Sequence, residues 1–397
     1  MAVTDGERWL KAGLIIVGLI IIGFTGWRIN QLDDSYYPGV SDESAPAATP
    51  APVQAKARWL FMGEVFWGRQ MERIAETQPD PTSYLFSRLN TFNREQYDAW
   101  IAHLECPVAD KVIPFEVQAN DLIFNCQPKY LEEFEEWFNA VSLANNHIDN
   151  VNGVAGLDQT RANLESVGVQ YYGHFDNSVR DDICEIASLP IKVEASDKSV
   201  RESKLPVALC GYHNVFRLPT KEELDVIKNY AGQFLTIVSP QQGAEYQPKG
   251  DEFKQEVYRG MIDRGADMVI ASHPHWVQNT EVYKGKLIMY SVGNFMFDQE
   301  WSDEVMRGVA LDLGISLIYD DNLAAWLELG QKCETFQDNC LKLATQQKLT
   351  KLEFNFSYEL VSAWHKDALT RKAPDNIHRL NLERTNWVKT LSQLEQL

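Results

Sequence analysis

Residues 266–298 read ADMVIASHPHWVQNTEVYKGKLIMYSVGNFMFD. A short apolar run, 268–271, is followed by His273 and His275 on either side of Pro274. An extended segment leads to Tyr290-Ser291-Val292-Gly293-Asn294-Phe295. A strand that ends in His-x-His at a loop brings two imidazoles to one space, a common way to hold a metal. Alone, the pair is equally well two loop histidines with ordinary hydrogen bonds, so the rest of the chain decides.

Working outward, apolar strands alternate with polar loops and amphipathic helices, which predicts an α/β body. Strands are expected at 58–62, 97–104, 141–144, 205–211, 234–238 and 268–271, and helices at 81–92, 128–138, 154–167 and 249–264. Four strand ends carry polar side chains: Glu64; His103 and Glu105; Asn145, Asn146 and His147; His273 and His275. In open α/β sheets, sites form at the carboxyl ends of strands. Oxygen and imidazole ligands together suit Mn, Fe or Zn. Two ions bridged by a carboxylate would suit hydrolysis of a phosphate ester. Singly, Glu64 reads as a solvated turn carboxylate, Asn145-Asn146 as turn residues and His147 as a helix-start histidine. Their shared position after strands is what groups them.

These residues resemble the CapA-type poly-γ-glutamate capsule biosynthesis proteins, whose domain is related to the calcineurin-like metallophosphatases. The resemblance spans roughly 59–313. It is carried by Gly63-Glu64, His103-Leu104-Glu105, Ala144-Asn145-Asn146-His147 with Gly156-Leu157 and Thr160, Gly265-Ala266-Asp267, Ser272-His273-Pro274-His275 and the Tyr290–Phe295 block. It implies a four-layer α/β/β/α sandwich. By resemblance, Glu64 is the first-metal carboxylate and Glu105 the bridging one. Asn146 binds the second ion, His147 is the general acid, and His273 and His275 are ligands.

Three departures stand out. Glu64 replaces Asp, His103 replaces Asn, and an expected His-Trp-Gly loop reads Pro240-Gln241-Gln242-Gly243. Gln241 thus occupies a histidine-ligand position, and an amide oxygen is the poorer transition-metal ligand. The cofactor expectation is a divalent metal (Mn, Mg, Fe or Zn), as one or two ions, with the harder Mg or Mn favoured by Gln241. His213 also ends a strand; it is either a substitute imidazole or a packing histidine. Two function classes follow. One is a metal-dependent hydrolase of capsule or poly-γ-glutamate biosynthesis, acting on an anionic polymer or a phosphoester. The other is a non-catalytic polymer-binding or export component beside membrane synthase subunits.

The chain of 397 residues, 45% hydrophobic, is long enough for a large core. A net charge of −19 excludes nucleic acid as the expected partner. Between Lys11 and Arg28 lies the uncharged run AGLIIVGLIIIGFTGW. As a helix it spans roughly 24 Å at about 1.5 Å per residue. Trp9 and Trp27 sit where an aromatic belt falls, and the basic residues can snorkel. The domain expectation is a cytoplasmic start (1–11), a single-pass anchor in the cell membrane (12–27) and a Pro/Ala-rich linker (28–57). An extracytoplasmic body (58–320) and a C-terminal extension completing it (321–397) follow. A cleaved signal peptide and a core helix are the alternatives to the anchor. Six cysteines without a CxxC suit an oxidising compartment. Cys106–Cys126 and Cys333–Cys340 are expected as local bridges, leaving Cys184 and Cys210; buried free thiols are the alternative. Strands are expected at 323–329 and 349–356, and an amphipathic tail from Pro374 is expected to dock on the body.

Overall fold

The computed structural model describes residues 50–333 and 338–396. Its strands are β1 (Pro52–Val65), β2 (Ala99–Leu104), β3 (Ala140–Ser142), β4 (Gln170–Tyr172), β5 (Cys184–Ala195), β6 (Val200–His213) and β7 (Thr236–Gln241). There follow β8 (Met268–Ile270), β9 (Thr280–Tyr283), β10 (Lys286–Met289), β11 (Asn294–Met296), β12 (Arg307–Ile318), β13 (Asn355–Lys366) and β14 (Leu369–Lys372). They form one hydrogen-bonded network in the order β14-β13-β12-β1-β5-β6-β7-β8-β10-β9, with β11 and the β2-β3-β4 set attached to β1.

The hub is β1. Its first half pairs antiparallel with β5, and its second half pairs parallel with β2 and β11. Two parallel wings result, one of β1 to β4 and one of β6, β7, β8 and β10. Side chains alternate between the faces of a strand, and the burial follows that alternation. Trp59 and Phe61 face an apolar cluster shared with the second wing's Leu209, Ile237, Met268 and Leu287. Leu60 and Met62 face a separate cluster with Trp100 and Phe134. On the other wing, Val238, Val269 and Ile288 pack with Tyr258 and Met261 of the helix Glu252–Asp263. Both faces of the parallel strands are therefore dry, which is why these strands read as nearly unbroken apolar runs.

The C-terminal region corrects two expectations. Residues 323–329 are not a strand: Asp321–Lys332 is a helix, capped by the Asp320 side chain accepting from the Leu323 amide. Leu323, Trp326, Leu327 and Gly330 recur at the helical spacing and are buried. Gly330 lets this helix lie on β6, since a Cβ there would come within 2.1 Å of the Lys204 carbonyl oxygen. Residues 349–354 are not in a strand either; β13 begins at Asn355. The first wing's helices are shorter than expected, with Pro81–Tyr84 and Leu131–Glu135 flanked by 3-10 turns. β1 starts at Pro52, inside the stretch read as linker. The tail forms Asp375–Thr385 and Trp387–Leu394, and Ile377, Trp387 and Leu394 are buried against the body.

All six cysteines pair: Cys106–Cys126, Cys184–Cys210 and Cys333–Cys340. Among the described residues no helix is long and apolar enough to cross a membrane. The run 12–27, read as an anchor, lies outside them.

Candidate metal centre

Parallel pairing sets the carboxyl ends of both wings at one edge, and the polar residues sit there. Glu64, His103, Glu105, Asn145, Gln241, His273 and His275 are all buried. Glu64 ties the wings together. One carboxylate oxygen accepts from the His273 backbone N–H at 2.7 Å, and the other from Gln241 Nε2 at 3.2 Å. Gln241 Nε2 also lies 3.1 Å from His103 Nδ1. The amide's nitrogen end is thereby fixed on Glu64 and His103, and its Oε1 is left without a partner. His103 also bonds to the backbone of Ile270, so it orients Gln241 rather than opening toward the centre.

Hydrogen bonding settles the state of two histidines near Glu105. His147 Nδ1 lies 2.9 Å from Asn150 Oδ1, which also accepts from the Phe124 amide. His275 Nδ1 lies 2.8 Å from Asn294 Oδ1, and Asn294 Nδ2 donates to the Val305 carbonyl. Each Nδ1 faces an acceptor and must carry the proton. In the neutral ring each Nε2 is then a bare lone pair, and these face Glu105 Oε1 at 4.0 Å for His147 and 3.9 Å for His275. Fixing one ring nitrogen on an oxygen to free the other is the usual support of a metal-bound histidine. Burial lowers His147 to about 4 and His273 to about 3, so both are neutral at pH 7.

The two carboxyls oppose each other's ionisation. Burial, then the charge of Glu64, pushes Glu105 well above the usual carboxylate range. Burial would raise Glu64 too, but its interaction with the Glu105 carboxyl opposes this, and Glu64 is held at about 2. Charge in the ion-free pair therefore rests on Glu64 in preference to Glu105.

The unsatisfied atoms test whether a cation fits. Glu105 Oε1, Asn146 Oδ1, Gln241 Oε1 and His273 Nδ1 are buried with no hydrogen-bond partner among the described residues. Each such atom costs about 1–3 kcal/mol unless something meets it, and a cation is what meets several oxygen and imidazole acceptors at once. The donor set fits a divalent ion in that sense. Among the described residues no three His, Cys, Asp or Glu side chains alone are gathered to hold one; amide oxygens belong to this set. His273 and His275 both take positive φ, 91° and 58°, backbone strain of the kind that gathers at functional sites.

Several contributors were not legible beforehand. Asn150 and Asn294 set the imidazole states. Phe124 stacks on His147 with ring centroids 4.0 Å apart, on the loop pinned by Cys106–Cys126. Arg69 pairs with Asp298 and lies over Phe124. Lys254 is buried, its Nζ donating to Gln278 at 3.0 Å, and burial lowers it to about 7. Of these, Gln278, Asn294 and Asp298 lie inside the quoted stretch, and Asn294 alone falls in the Tyr290–Phe295 block that carries the resemblance. Asn294→Ala frees the His275 ring, and is expected to weaken ion binding by about 10–100-fold with little loss of secondary structure, as read by calorimetric titration and circular dichroism.

A family model described as Bacterial capsule synthesis protein PGA_cap matches residues 58–299. Capsule biosynthesis protein CapA of Bacillus anthracis is 26% identical over 266 residues, 64% of this chain and 63% of that protein. PGA biosynthesis protein CapA of Bacillus subtilis (strain 168) is 27% identical over 260 residues, 61% of this chain and 63% of that protein. The chain thus spans less than two thirds of the length of these relatives. A solved Thermus thermophilus structure matches 64% of this chain and 94% of its own, at 10% identity and a TM-score of 0.33, and carries no argument. Every strand end described above, from Glu64 to Asn294, lies inside the matched span. The chain belongs to the bacterial capsule synthesis protein family, PGA_cap.

Proposed function

We propose that this chain is a membrane-anchored, extracytoplasmic component of capsule or poly-γ-glutamate biosynthesis. In this reading its body is a four-layer α/β/β/α sandwich that works as a metal-dependent hydrolase on a phosphoester or an anionic polymer. The observation that carries the reading is the set of buried, unpaired lone pairs at the strand ends. A bound divalent ion would supply a water of lowered pKa and neutralise charge developing on the reacting group. Glu105, Asn146 and His275 would hold an ion on one side, and Glu64, Gln241 and His273 on the other. His147, neutral with its lone pair inward, takes up a proton before it can deliver one to a leaving group. The three apolar layers support the sandwich, and the family names support the pathway.

Gln241 favours a second reading, a polymer-binding or export partner of a membrane synthase with no turnover, because the amide is the weaker ligand. The test is hydrolysis of a generic phosphodiester and of poly-γ-glutamate by the full chain with Mn added. His147→Ala is expected to lower turnover about 10²–10⁴-fold, the usual worth of a positioned acid–base group, while leaving ion content unchanged. Ion-loaded protein without turnover on either substrate would select the second reading.

A further inference from the structure

His213 is the last residue of β6 and stands in register with Gln241, the last residue of β7. A parallel bridge continues from Gln241 to Ser272, next to His273. Three strand ends thus place His213, Gln241 and His273 side by side. His213 is only 9% exposed. Its Nδ1 contacts the Phe175 carbonyl oxygen, which can only accept, so Nδ1 carries the proton. Nε2 is then a bare lone pair, buried and without a partner. Both Asn177 amide ends brace the His213 backbone, at 2.9 and 3.0 Å, and Phe216 meets the ring edge-on at 5.2 Å.

We infer that His213 Nε2 is a ligand on the Glu64 side of the centre, supplying from the neighbouring strand the imidazole that Gln241 lacks. The inference rests on the metal-centre reading above and sharpens it. The inference adds a second imidazole to the donors of Glu64, Gln241 and His273 on that side. Such a set suits Mn, Fe or Zn better than Mg.

The experiment strips the full-length protein with EDTA, then titrates it with Zn and with Mn, reading stoichiometry by elemental analysis and affinity by calorimetry. His213→Asn keeps an N–H where it can reach the Phe175 carbonyl and removes the Nε2 lone pair. His213→Gln puts an amide back near the Nε2 position. His213→Asn is expected to lose one ion, or to weaken Zn binding at least about tenfold, the scale of a lost metal-site contact. His213→Gln is expected to lie between Asn and wild type. Unchanged stoichiometry and affinity in His213→Asn overturns the inference and leaves the centre standing. A wild type that takes up no ion overturns both. If His213→Asn does not fold, the ¹⁵N shift of His213 Nε2 in the wild type decides. A large shift on adding Zn supports ligation, and no shift refutes it.

Discussion

Glu105→Gln is expected to abolish divalent-ion binding, weakening it at least about a hundredfold, and at the same time to stabilise the ion-free protein. A second-sphere contact alone is worth about 10–100-fold, and Glu105 would touch the ion itself. Its Oε1 faces both His147 and His275, and no protein donor meets it. The opposite sign of the stability effect comes from the buried acid pair. Glu105 has its folded pKa raised, by burial first and by Glu64 second. The folded state then keeps a proton that the unfolded chain releases near the ordinary glutamate value of about 4.3. Its contribution is fully present below that value and is lost as pH climbs toward the raised folded one. Glu64, held at about 2, runs the other way: its contribution is present above the ordinary value and is lost as pH falls toward 2. Above pH 5 the buried His147 and His273, with depressed folded pKa values, add stability as pH climbs through the ordinary histidine value of about 6.5, and they do so in wild type and in Glu105→Gln alike. Relative to Glu105→Gln, chelated wild type should therefore lose stability between pH 5 and pH 8. An amide remains neutral across the range and can still donate to Glu64. Added ion should erase the difference in wild type and do nothing for the variant. If the variant binds Mn or Zn like wild type, Glu105 is not a ligand.

Gly63→Ala is expected to be the most destabilising single methyl in the described sheet hub. A Cβ at Gly63 would land 1.7 Å from the Gly293 carbonyl oxygen. Both partners are backbone, so no side chain can swing aside. The contact joins β1 to the turn entering β11, where the Glu64 amide donates to that same carbonyl at 3.3 Å. Ordinary overpacking costs about 1–3 kcal/mol, and this clash should reach at least about 3 kcal/mol. Relief can only come from moving β1 away from Gly293, which carries Glu64 off His273 and Gln241. A urea midpoint near wild type, with ion binding intact, would contradict the packing of β1 against the Gly293 turn.

The strand ends were legible because a parallel α/β body writes them plainly: an apolar run, then a polar residue, then a helix. Glu64, Glu105, Asn146, His147, Gln241, His273 and His275 all lie at the one edge that pattern implies. The disulfides were partly legible from spacing, and Cys184 and Cys210 prove to be register partners on β5 and β6. The helix Asp321–Lys332 was misread because the three leucines, the tryptophan and the two alanines of 323–329 satisfy a period of two as easily as 3.6. Its Asp320 cap, three residues before Leu323, was the missed signal. The protonation states of His147, His213 and His275 were not legible. They depend on Asn150, Phe175 and Asn294, and only the folded chain shows which ring nitrogen meets an oxygen.

The central claim is that these unpaired lone pairs exist to hold a divalent ion. Its most direct test is elemental analysis of the full-length protein after EDTA stripping, reloading with Mn or Zn, and removal of excess ion, beside His275→Ala and Glu105→Gln. The claim predicts one or two ions per wild-type chain and a clear deficit in both variants. Wild type that retains no Mn, Zn, Fe or Mg, or variants that retain as much as wild type, would contradict it.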